Sequence, residues 1–269
     1  MTNVTKKSML AVASTLLLAS SVITAAEIQV TVTNNGEGYL TPVWAGFHDG
    51  SFDSFDLGGI ASPGIEAIAE DGNTSLLSQS FTASTANGVD GVVGGLVAPS
   101  ASTTNTFTVS EDGSNNYFSY ASMFLLSSDF FIANGDPSAF SIESLLTGLE
   151  SSLTIDVFNV YDAGTEINDF STSAGNGLFG IAQGQTGPNQ GADENGVVTL
   201  VEDFGLAYAL FINADGIDTS SFNFANGEKV ATIELTNVSA VPVPAAAFLF
   251  APALLGFLGL RRKASKSAA

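Results

Sequence analysis

The side chains best placed to do chemistry in this sequence are carboxylates that follow two apolar runs. Residues 117–126 (YFSYASMFLL) and 153–160 (LTIDVFNV) have the composition of strands, and each passes into an acidic, turn-forming segment. The first segment supplies Asp129 and Asp136, and the second supplies Asp162, Glu166 and Asp169, with Asn168 between them. If the two strands lie side by side, these loops bring carboxylates from distant positions to one point. A shell made only of oxygen suits a hard divalent cation, Ca2+ above all. The same residue types also cap turns through side-chain-to-backbone bonds, so ordinary turn chemistry is the competing reading of each one.

Catalytic alternatives are thin. His48 is the sole histidine, so a Ser-His-Asp arrangement has to use it, with Asp49 adjacent in sequence. The IASPG stretch at 60–64 lacks the first glycine of a nucleophile elbow, and Pro63 fits its strained turn poorly. Carboxylate pairs suited to glycoside hydrolysis abound, yet a single tryptophan, Trp44, and five tyrosines offer few platforms for sugar stacking. Trp44 and the many phenylalanines read as core. The segments 193–196 (DENG) and 213–218 (NADGID) lack the spacing and terminal glutamate of an EF-hand and read as surface turns. Glu70-Asp71-Gly72 reads as a helix end entering a turn. The expectation is a binding protein rather than an enzyme, with an exported enzyme acting on extracellular polysaccharide as the alternative.

Charge narrows the partners. All 27 Asp and Glu lie between Glu27 and Glu234, whereas Lys229 is the only basic residue in that span. Such a surface repels phosphate backbones, which excludes nucleic acid. It suits a saline or calcium-rich exterior in which counter-ions screen self-repulsion. With no cysteine there are no disulfides, thiolate metal sites or cysteine nucleophiles.

The two ends read as addresses. Lys6 and Lys7 precede an apolar run over 9–18 and the small-residue stretch ITAA at 23–26, the order of a secretory signal peptide cut after Ala26. At the other end VPVPA (241–245) leads into sixteen uncharged, mostly apolar residues (245–260) and then RRK at 261–263. As a helix this stretch spans about 24 Å at ~1.5 Å per residue, slightly short of a bilayer core. The basic cluster holds the carboxyl end on the cytoplasmic side. In motif order the tail resembles the PEP-CTERM sorting signals of Gram-negative bacteria, particularly the VPLPA variant, although the glutamate of the PEP form is missing. That resemblance implies an exosortase-type processing enzyme, removal of the tail and delivery to the cell envelope or extracellular matrix. A plain uncut membrane anchor is the alternative.

The elements that must position the carboxylates are strands. EIQVTVTN (27–34) alternates with period two, and short Val/Ile/Thr/Phe-rich runs at 39–45, 76–81, 92–97, 104–109, 117–126, 153–160, 197–201, 206–212 and 229–237 are separated by Gly, Asn, Asp and Ser clusters. The helical candidates are brief, 63–69 and 142–149. Many short strands without alternating helices predict an all-β, antiparallel sandwich or barrel over 27–240, bracketed by its first and last strands.

Several pieces in order resemble a spondin domain: VTVTN, LTPVWAGFHDG (40–50), GGIASPGIEAIAEDGN (58–73), FSYASMFLLSSDFF (118–131) and YDAGTEIND (161–169). The resemblance implies a C2-like antiparallel β-sandwich with a calcium ion held by loops at one end. It also implies adhesion or matrix roles, with a matrix or cell-surface component as partner. By motif the metal ligands are Asp129, Asp162 and Glu166, the last a glutamate where the animal form has aspartate. The Gly-rich stretch 171–196 corresponds to a variable insertion.

Overall fold

The computed structural model describes residues 25–36, 38–125, 127–168, 192–202 and 228–239. The leader up to residue 24, Asp169, the expected strand at 206–212, the turn at 213–218 and the whole tail lie outside these residues. Among the described residues no helix is long and apolar enough to cross a membrane.

Strand β1 (Ala25–Asn34) buries every second residue, including Ile28, Val30 and Val32, as its alternation requires. It begins two residues before the expected signal-peptide boundary, with Ala26 buried opposite Val109. β1 pairs on one side with β5 (Ser102–Ser110) and on the other with β11 (Ala231–Asn237), and β8 (Ser152–Val157) lies outside β11. The first and last strands are therefore neighbours, in register from Ile28 opposite Asn237 to Asn34 opposite Ala231.

Among the described residues the second antiparallel sheet has seven strands. Its order is β10 (Thr199–Leu200), β9 (Tyr161–Asp162), β7 (Phe130–Ala133), β6 (Tyr117–Leu125), β3 (Val43–His48) and β4 (Val89–Val93), with β2 (Tyr39–Leu40) also against β6. β3 is buried throughout and β6 almost so, because this sheet is covered on both faces. One face meets the first sheet through a core that includes Ile28, Phe47, Phe118, Phe124 and Ile233. The other face carries helices α1 (Pro63–Asp71) and α2 (Ser75–Ser84) over Trp44, Phe52, Phe81 and Phe131. A short helix, α3 (Glu143–Leu146), precedes β8.

Three sequence expectations fail for identifiable reasons. The run at 76–81 is helical, because Leu77 and Phe81, four apart, turn to one face and seal the helical layer over Trp44. The strand expected at 39–45 is interrupted at Pro42, which has no N–H for a ladder, and resumes as β3. The condition set for gathering the carboxylates, that β6 and β8 lie side by side, is not met, since they belong to opposite sheets. β8 also stops at Val157, and the residues that carry Asp162 form a separate strand.

Candidate metal centre

Asp129 closes the tight turn between β6 and β7. Ser127 fastens that turn: its hydroxyl donates to the Phe124 carbonyl at 2.7 Å and accepts the Phe130 N–H at 2.9 Å. Ser127, Ser128 and Asp129 are all fully buried. β7 pairs with β9, which places Phe130 opposite Asp162, so β9 rather than β8 delivers the second carboxylate beside the first.

The polypeptide then folds around Asp129. Its Oδ2 accepts the backbone N–H of Thr165 at 2.8 Å, that of Glu166 at 3.1 Å and the Thr165 hydroxyl at 3.2 Å. Its Oδ1 is buried and accepts no hydrogen bond among the described residues. Asp162 forms an Asx turn, accepting the Gly164 N–H on Oδ1 at 2.7 Å and the Asn168 amide on Oδ2 at 2.6 Å. The Asn168 Oδ1 is likewise buried without a hydrogen bond among the described residues.

A third carboxylate comes from the segment read as a surface turn. Residues 192–200 run back along 161–167: Glu194 N–H donates to the Thr165 carbonyl at 2.8 Å, Gly196 N–H to the Gly164 carbonyl at 2.7 Å, and Ile167 N–H to the Ala192 carbonyl at 2.8 Å. Val198 is tied on its other side to the backbone of Gly58 and Gly59. Gly164 makes this approach possible, since its φ is +67° and a Cβ there would lie 2.7 Å from Val197 N and O. The strap brings Glu194 to Asp129 and Asp162, and one oxygen of each falls within 4.8 Å of the other two.

Burial and the neighbouring Asp162 charge push Asp129 up to about 7, against two amides and a hydroxyl that pull it down. Burial raises Asp162 as well, and partial burial with the Asp162 charge raises Glu194. Three carboxylates this close, one of them with a buried oxygen that accepts no hydrogen bond among the described residues, call for a proton or a cation. Oxygens on opposite sides of a calcium ion stand about 5 Å apart at ~2.3–2.6 Å per bond, so these three fit one shell. The cluster can hold a metal ion.

The sequence-expected ligands thus divide. Asp129 and Asp162 meet. Glu166 is buried beside them and contributes its backbone N–H to Asp129, whereas the third carboxylate of the cluster is Glu194. The Glu166 charge also acts on Glu70, a buried residue near the end of α1: burial first, and then the charges of Glu166, Glu66 and Asp71, raise Glu70 to about 7 against a Thr165 hydrogen bond that lowers it. Asp136 caps its own turn, accepting Ser138 N–H at 2.8 Å, and is not part of the cluster. Sequence reasoning missed Glu194 because nothing in DENG shows that it returns to β9.

The catalytic candidates are structural. His48 is fully buried and its Nδ1 accepts the Gly50 N–H at 3.0 Å, which leaves the proton on Nε2 to be donated to Ser119 Oγ at 2.9 Å. A histidine donating to a serine is no base toward it, and burial lowers its pKa further. Ser62 caps α1, accepting the Ile65 N–H at 3.3 Å, and Gly72 ends that helix in the left-handed region. No protein-family model and no curated protein matches the chain.

Proposed function

We propose that this chain is an exported, calcium-binding, spondin-like β-sandwich that acts as an adhesion or interaction module of the bacterial envelope or extracellular matrix, not as an enzyme. The observation that carries the metal reading is the cluster of Asp129, Asp162 and Glu194, in which Asp129 also has a buried Oδ1 that accepts no hydrogen bond among the described residues. An all-oxygen set contributed by a turn, an Asx turn and a strap is irregular, and calcium tolerates irregular shells better than magnesium, which demands an octahedron. Asn168, whose amide donates to Asp162 Oδ2 and whose Oδ1 accepts no hydrogen bond among the described residues, is a further oxygen donor in the same turn. Two sheets with a candidate cation site at a loop end agree with the spondin resemblance of 27–240, and the VPVPA tail with its basic end supports routing through an exosortase-type enzyme. The adhesive role rests on these resemblances.

The test is a thermal melt in chelator and then across calcium and magnesium series, with Asp162→Asn alongside. A ligand that binds only the folded state raises Tm as its concentration passes Kd. The expected result is stabilisation of the parent by calcium at concentrations where magnesium has little effect, and loss of that response in Asp162→Asn. Identical melts with and without calcium would overturn the metal reading. For the adhesive role, a deletion strain should lose cell or matrix cohesion, and hydrolysis of extracellular polysaccharide by the purified chain would overturn it.

A further inference from the structure

A second site lies on the flank of the sandwich, where the end of β8 faces the loops after β3 and β7. The cleft there holds about 480 Å³, within the range of ligand-binding cavities. Its described lining combines the aromatic side chains of Phe140, Phe158 and Tyr161 with Asp56, Asp136 and Asp156, and contains no basic residue. Phe158 is 49% exposed and Leu57, also on the cleft, 64%, so neither serves the core.

The carboxylates retain capacity for a ligand. Asp136 takes both of its bonds from Ser138 on Oδ1. Asp156 likewise takes Lys229 and Thr232 on Oδ1. That ion pair is informative in itself, because the single lysine of the acidic body already docks at this rim, 3.1 Å from Asp156. Asp53, in the same loop as Asp56, is raised by partial burial and then by the charges of Asp56 and Asp136. An uncharged ligand would desolvate these groups without compensation, and an acidic one would be repelled.

We propose that this cleft binds an extended, basic segment of a partner protein, with a lysine or arginine stem lying on Phe158 and Tyr161 and its cationic head between Asp56, Asp136 and Asp156. Ring faces and carboxylates are the two environments such a side chain seeks together. The excess of carboxylates over the whole body steers a basic partner toward the surface, and the cleft selects where it docks.

The test uses the full chain in detergent, with chelator present so that the outcome does not depend on the metal centre. The probe is a fluorescein-labelled peptide of alternating arginine and threonine, read by anisotropy. The paired substitution Asp56→Asn with Asp136→Asn is expected to weaken binding at least about tenfold, and Phe158→Ala about threefold or more. Glu111→Gln with Asp112→Asn removes the same charge from the exposed loop before β6 and should change binding less than about twofold. Equal losses from both charge pairs would show diffuse attraction and overturn the proposal, as would binding of a neutral or amino-sugar oligosaccharide with none of the peptide. Asp56→Asn and Phe158→Ala alter partly exposed side chains and carry the test alone if Asp136→Asn does not fold.

Discussion

At the scale of single residues, the metal-free centre stores a proton-linked instability. Asp129 has a folded-state pKa of about 7, above its ordinary value, so the folded chain binds protons more readily than the unfolded chain between the two values. Stability must then fall as pH rises through this window. Glu70, also near 7, adds in the same direction. In chelator, Tm should therefore be higher at pH 5 than at pH 7.5, and saturating calcium should flatten or reverse that trend. A chelated protein that is more stable at pH 7.5 would contradict the assignment. A second pair of variants separates the third ligands: Glu194→Gln should weaken the calcium-induced rise in Tm, whereas Glu166→Gln should leave most of it and reduce the pH dependence by removing the charge beside Glu70. Two of the three carboxylates of this centre were legible beforehand. Asp129 and Asp162 stand in turn-forming segments after apolar runs, which is a local signal. Glu194 reaches the site, and Glu70 its neighbours Thr165 and Glu166, only through pairing and packing across the fold, and neither spacing nor composition encodes that.

At the scale of elements, the strap over residues 192–200 and the helical layer make opposite demands. The strap rests on backbone bonds and on one glycine. Gly164→Ala forces a side chain into the left-handed region and against the Val197 backbone, at a cost of about 1–3 kcal/mol. It should also blunt the calcium response, because Glu194 arrives on the displaced strand; calorimetry with and without calcium reads both effects. The helical layer rests on burial. Leu77→Ala should cost about 2–5 kcal/mol in urea unfolding and leave the calcium response intact. The alternating strand β1 was plain in the sequence because one of its faces is solvated. β3 and β6 show no alternation because helices cover their second face, and the helix α2 was read as a strand because six residues around Leu77 and Phe81 suit either period. Phe130–Ala133 and Tyr161–Asp162 are too short for any pattern, yet they are the strands that join the two aspartates.

At the scale of the whole molecule, charge is the dominant property. With 27 carboxylates against one lysine in the body, self-repulsion opposes the compact state. Adding a monovalent salt to the chelated protein should raise Tm steadily across the range in which the Debye length shrinks, and a flat response would show that the carboxylates are already spaced beyond mutual influence.

The pairing of the first and last strands has a directional consequence. Ala25 lies opposite Ser110 and Ile28 opposite Asn237, so both ends of the folded body leave from one pole. The far end of β1 is linked to the end of β6: Asn34 bonds the Gly38 carbonyl, and Tyr39 lies opposite Leu125, four residues before Asp129. The carboxylate cluster therefore occupies the other pole, a strand length of about 30 Å away. A chain held by its carboxyl end would carry the candidate cation site at the pole away from that attachment.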